Sequence, residues 1–89
     1  MFAQLTLLQE AQYCISDADQ HPADMAFHLR AAIALSKAGL NDAAVSYLDA
    51  AISRIGPSRA ALQQLAECLD SLGRVDRARE MRAASAKLP

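Results

Sequence analysis

The sequence predicts an all-α fold of about five helices in a single domain, and two observations carry this prediction. The first is a repeat at a spacing of 34 residues, in which Ala32 recurs as Ala66 and Gly39 recurs as Gly73. A period of about 34 residues, with small residues inside helices and glycine between them, is typical of stacked helical hairpins. The second is that apolar residues recur three or four positions apart, which is the periodicity of amphipathic helices.

The first helix is predicted from about Phe2 to Ala18, where Ala11 and Ile15 lie on one apolar stripe. Pro22 should end it, because proline disfavours helical backbone in the residue before it. We expect residues 1–22 to form an N-terminal helix that has no hairpin mate in this chain.

A second helix is predicted from Met25 to Ala38, with Asp24 as its N-cap and Gly39 as its stop. A third should follow at once and run to the next break, with Asn41 or Asp42 as its cap. The connection is short, so the two helices should be antiparallel neighbours. Together they make a first hairpin, residues 23–57.

The third helix should end near Ile55, before the Gly56-Pro57 break. Ser58 is a good N-cap for a fourth helix, predicted from Arg59 to Leu72. Gly73 should stop it, and a fifth helix is predicted over 75–86. This second hairpin, residues 58–89, ends in a polar helix of the kind that closes a repeat stack.

Composition excludes several classes of function. The formal net charge of -1 does not favour binding to nucleic acid or to an anionic membrane. Cys14 and Cys68 have no metal-ligand spacing, and free thiols fit a reducing compartment, so we expect a cytoplasmic protein. The N-terminus has neither a signal peptide nor a membrane span. We find no catalytic or phosphate-binding motif, and therefore expect no enzyme, cofactor or metal.

The hairpins resemble the tetratricopeptide repeat (TPR), which has small residues within its helices and glycine before its turn. The first repeat offers Ala32, Leu35, Gly39, Ala44, Leu48, Ala51 and Pro57, and the second offers Leu62, Leu65, Ala66, Leu69, Gly73 and Ala78. The resemblance implies a short right-handed solenoid with a concave protein-binding face. His28, Arg82 and Ser85 depart from the apolar or small residues usual at their positions.

The same resemblance implies which residues line the concave groove. The first hairpin would contribute Ala26, Leu29, Ile33 and Ser36, and the second Ala60, Gln63, Glu67 and Asp70. Leu29 and Ile33 lie four apart and therefore share a face of their helix. That face suits an amphipathic partner helix. Packing of both residues on the N-terminal helix is an equally open interpretation.

The last hairpin also resembles the TPR-like chaperone of the needle protein in bacterial type III secretion, a virulence apparatus. The shared pattern is Leu65-Ala66-Glu67-Cys68, then Leu72-Gly73, Ala78, Arg82 and Ala84. This implies a bacterial cytoplasmic chaperone that sequesters a helix of a small secreted subunit, together with a small helical co-chaperone. The co-chaperone would dock on Phe2, Leu5, Leu8 and Tyr13. A TPR adaptor in another complex and a self-associating module are the alternatives.

Overall fold

The computed structural model describes residues 2–89, with side chains from Thr6 onward. The chain forms five α-helices: α1 (Phe2–Gln20), α2 (Met25–Lys37), α3 (Asn41–Ile55), α4 (Arg59–Ser71) and α5 (Val75–Ala86). No strand occurs in residues 2–89. The predicted all-α fold of five helices is therefore confirmed.

Each helix packs on the next one along the chain, so that α1 lies on α2, α2 on α3, α3 on α4, and α4 on α5. In addition, α2 contacts α4 directly. Within the described chain, the backbones of α1 and α3, and of α3 and α5, do not come into contact. The even-numbered helices thus form an inner row, and the odd-numbered helices are separated along the outside.

Alanine dominates the buried interior. The alanines with no exposed surface are Ala18, Ala31, Ala32, Ala44, Ala51, Ala61, Ala66 and Ala78. Larger apolar side chains with 1% exposure or less are Leu48, Leu65 and Leu69. Small side chains let helix backbones approach closely, so the core is thin and depends on tight helix contacts.

Two turns show the repeat at the level of single hydrogen bonds. After α2, the Leu40 N–H donates to the Leu35 carbonyl at 2.9 Å, and Gly39 has a φ of 83°. After α4, the Arg74 N–H donates to the Leu69 carbonyl at 2.8 Å, and Gly73 repeats the positive φ. Both are Schellman caps, in which the residue after the helix must adopt left-handed backbone.

The helix N-termini bear out two predicted caps and contradict a third. The Asp24 carboxylate accepts from the Ala26 N–H at 3.0 Å, and the Ser58 hydroxyl accepts from the Ala61 N–H at 3.1 Å. The prediction of Asn41 or Asp42 as the cap of α3 is wrong, because Leu40 occupies that position without a side-chain cap. Asn41 instead accepts a hydrogen bond from Ser36 at 2.7 Å.

The two outer helices α3 and α5 are linked by side chains although their backbones are apart. Arg77 donates to both carboxylate oxygens of Asp49 at 2.9 and 3.0 Å, and Arg74 lies 3.4 Å from Asp42. All four side chains are at least 40% exposed, so each pair contributes at most about 1 kcal/mol. These pairs orient α5 more than they stabilise it.

We expect Gly39→Ala to lower the free energy of unfolding by about 1–2 kcal/mol, because a Cβ destabilises left-handed backbone. A Cβ at this position would meet nothing within 4 Å, so the cost arises in the backbone alone. Urea unfolding measures it. Gly39→Asn, which tolerates this conformation, is the control and should lose less. Equal losses for both variants would contradict the backbone explanation.

Burial raises the pKa of the Tyr47 phenol above its ordinary value of 10.0; Asp19 adds to the increase, and Arg54 opposes it. In the unfolded chain the phenol ionises first, so the stability due to this shift is complete below about pH 10 and lost above it. Tyr47→Phe should flatten the fall in stability as the pH rises above about 10. Tyr13→Phe, on an exposed tyrosine, is the control for urea titrations at each pH.

Candidate functional site

One face of α2 is open to solvent, although five residues of that helix, including His28, are buried. Ala31, Ala32, Ala34 and Leu35 are all at most 6% exposed. Ile33, in the middle of this run, is 37% exposed and belongs to the same open face as Ala26. Arg30 and Lys37 are exposed on the same face, so Ile33 is an apolar side chain within a mixed surface that a partner with both apolar and polar groups can cover.

The other two groove residues predicted on α2 have partners within the fold. Leu29 is half-buried and packs against the core cluster, which agrees with the interpretation that it is a packing residue. Ser36 is also half-buried and donates its hydroxyl hydrogen to Asn41. Of the four groove residues predicted on α2, Ala26 and Ile33 are therefore the ones that are exposed.

Ile33 lines a cleft between α1 and α2 of about 170 Å³, which we call the α1–α2 cleft. Its other lining residues are Glu10, Cys14, Arg30, Ala34 and Lys37. This volume is close to the roughly 150 Å³ of an apolar cavity that accepts a benzene ring. The cleft can therefore receive one apolar side chain, with charged groups around its mouth.

Gln63 and Glu67 lie in a different cleft, between α4 and α5, of about 440 Å³. Its other lining residues are Arg59, Arg82, Ser85 and Ala86, and we call it the α4–α5 cleft. Neither cleft joins Ile33 to Gln63 or Glu67. The structure thus places the groove residues of the two hairpins in separate clefts.

Most residues that line the α4–α5 cleft have polar or charged side chains. Arg82 is hydrogen-bonded to Asp70, and this bond raises the pKa of its guanidinium. Arg59 donates through Nε to the Ser85 carbonyl at 3.4 Å. The arginines therefore already engage protein acceptors, and an apolar partner gains little here.

A third, wide cleft of about 610 Å³ lies beside the α1–α2 loop, lined by His21, Pro22, Ala23, Asp24, Met25 and Ile55. Near it, His28 of α2 is 1% exposed and therefore buried. Its Nε2 lies 2.9 Å from the Pro22 carbonyl oxygen, while Nδ1 has no hydrogen-bond partner. The ring is enclosed by protein, so this histidine serves packing and not ligand contact.

The predicted docking face on α1 is described only in part. Tyr13 is 75% exposed, and Leu8 is half-buried. The side chains of Phe2 and Leu5 lie outside the described residues. Among the large apolar side chains of the described residues, that of Tyr13 is the most exposed.

The sequence predicted Ile33 but missed the other five residues of the α1–α2 cleft, namely Glu10, Cys14, Arg30, Ala34 and Lys37. Arg30, Ile33 and Lys37 lie three and four positions apart, which is the spacing of one helix face. That spacing is a signal by which the two cations could have been placed beside Ile33. Cys14 gave no such signal, because its side chain belongs equally to the packing stripe of α1.

The described residues contain no group of three or more His, Cys, Asp or Glu side chains that could hold a metal ion. None of the helices in this part of the chain has the length and apolarity needed to cross a membrane.

Comparison of the chain with protein-family models, with curated proteins and with solved structures gives no match.

We expect Leu29→Asp to destabilise the protein much more than Ile33→Asp. Leu29 packs against the core, so a carboxylate there should cost about 2 kcal/mol or more in the free energy of unfolding. Ile33→Asp should cost less than about 1 kcal/mol, because the side chain can remain in water. Circular dichroism with urea titration measures both. A large loss of helicity in the Ile33 variant would show that Ile33 is core.

Proposed function

We propose that this protein is a non-catalytic chaperone that binds an amphipathic helix of a self-assembling protein partner on the open face of α2. Covering the apolar stripe of such a helix removes the surface by which the partner assembles. The observation that carries the proposal is Ile33, which is 37% exposed beside a cleft with an apolar floor.

The form of the surface favours a helix as the ligand. An amphipathic helix presents apolar side chains three and four positions apart and lays them into a groove between helices. The α1–α2 cleft accepts one such side chain, and Ile33 offers apolar contact at its edge. Arg30 and Lys37 are exposed on either side of Ile33 and would contact the polar flanks of the ligand.

The partner in this proposal is a small secreted subunit of a bacterial type III secretion needle, held in the cytoplasm before export. Support comes from the resemblance of the last hairpin to the needle chaperones, in the segment Leu65-Ala66-Glu67-Cys68 and the residues after it. The TPR adaptor remains the alternative with the same binding surface.

Self-association, or docking of a small co-chaperone, is favoured by a separate observation. Tyr13 on α1 is 75% exposed, and an exposed aromatic residue is a frequent anchor of protein interfaces. Sedimentation of the purified protein distinguishes self-association from docking of a co-chaperone, because a dimer would indicate that a second copy of this chain packs on α1.

The test is affinity purification of the tagged protein from its own cells, in three forms: wild type, Ile33→Asp and Val75→Asp. Val75 is 52% exposed on α5 and is the matched control, because a carboxylate is tolerated at the start of a helix. We expect a small helical protein in stoichiometric amount with the wild type and Val75→Asp, and its loss with Ile33→Asp.

A purified peptide of the recovered protein's amphipathic helix should then bind the wild type and fail to bind Ile33→Asp. Recovery of the same partner by Ile33→Asp would place binding elsewhere and reject the proposal. Recovery of the bait alone, as a monomer, would also count against it.

A further inference from the structure

Within this chain, one helix packs against two consecutive helices, and this contact shows how a partner helix could pack on another such pair. With the repeat of 34 residues, α1 and α2 correspond to α3 and α4. In the later pair, α2 packs against both α3 and α4. Within the described residues, the corresponding position against α1 and α2 is occupied by no helix.

Residues at equivalent positions differ in burial as a missing cover would predict. Tyr47 is half-buried and lies 5.6 Å from the His28 ring of α2, whereas its equivalent Tyr13 is 75% exposed. Leu48 is completely buried, whereas its equivalent Cys14 is half-buried in the α1–α2 cleft. The side chains that α2 helps to cover on α3 are thus left open on α1.

The opposite end of the stack has different chemistry. The residues of the α4–α5 cleft that correspond to Leu48 and Ala51 are Arg82 and Ser85. Arg82 is paired with Asp70, so its charge is already engaged. At the α1 end the same two positions hold Cys14 and Asp17. An uncharged, half-buried thiol therefore stands where the α5 end has a paired arginine, and a further helix is favoured at the α1 end.

Charged side chains around the α1–α2 cleft define the polar flanks of the missing helix. Arg30 and Lys37 stand on the α2 side, and neither has an ion pair among the described residues. The Arg30 guanidinium rests 5.3 Å from the Phe27 ring centroid, a contact that leaves it available to a carboxylate. Glu10 stands on the α1 side without an ion pair.

We propose that the α1–α2 cleft binds one partner helix. This helix packs on α1 and α2 in the way that α2 packs on α3 and α4. The helix runs antiparallel to α1, as α2 does to α3 across their short connection. Its apolar stripe covers Cys14 and Ile33, with acidic residues toward Arg30 and Lys37 and a basic residue toward Glu10. This deepens the proposed function and rests on it for the partner being a helical protein.

The test uses Cys14 as a native probe and two synthetic amphipathic peptides of equal length with the same Leu/Ala stripe. One peptide carries Glu on the flank that faces α2 and Lys on the flank that faces α1, and the other has these charges exchanged. The rate of alkylation of Cys14 is followed by mass spectrometry, with the completely buried Cys68 as the internal control. One protein variant is Glu10→Lys/Arg30→Glu/Lys37→Glu. The other is the matched set Arg79→Glu/Glu80→Lys/Lys87→Glu, on exposed residues of α5 and of its C-cap.

We expect the first peptide, at about ten times its Kd, to slow alkylation of Cys14 about tenfold in the wild type and in the α5 set. In the α1–α2 charge-reversed variant, the exchanged peptide should protect better. Failure of both peptides to protect Cys14, or equal protection by both regardless of the reversal, would overturn the inference. The alkylation test and the affinity purification from cells can fail independently. Loss of the partner by Ile33→Asp in the affinity purification decides the proposed function.

Discussion

Close packing of alanine on alanine is the constraint on which the rest of the structure depends. Ala32 and Ala66 lie at equivalent places in the two inner helices, and both are completely buried. Without bulky side chains between them, α2 and α4 come into direct contact. A core built this way has little volume on the far side of each helix, so large apolar residues such as Ile33 are left near the surface. The exposed apolar side chain on α2 and the tight packing are therefore two results of one composition.

One buried polar group ties the start of the fold to this core. His28 sits inside α2 and contacts the carbonyl of Pro22, which belongs to the turn after α1. A buried polar group without its partner is costly, so this contact favours the one arrangement of the turn that supplies it. The angle at which α1 approaches α2, and with it the shape of the α1–α2 cleft, depends on that arrangement.

Much of the fold could be predicted because local signals and the repeat agree. Gly39 and Gly73 end helices in the way their spacing indicates, and Asp24 and Ser58 act as caps. The third cap could not be predicted. Asn41 does not cap α3 and instead accepts a hydrogen bond from Ser36, which forms only when α2 and α3 pack together. The helix α1 extends to Gln20, two residues beyond the prediction, because Pro22 restricts only the residue directly before it.

The candidate site was less predictable, because its chemistry comes from side chains of separate helices. The pattern placed Ile33 on one face of α2, but it could not show that Cys14 and Glu10 of α1 stand opposite. A repeat also implies that all its open ends are alike, and here they are not. Arg82, paired with Asp70, occupies one end, while the half-buried thiol of Cys14 occupies the equivalent place at the other. Because a charged group loses more hydration than a thiol when it is covered, the two ends of the same stack differ in their preference for a neighbour. The direction in which the stack can be extended is thus set by a few substitutions at equivalent positions and not by the helical architecture itself.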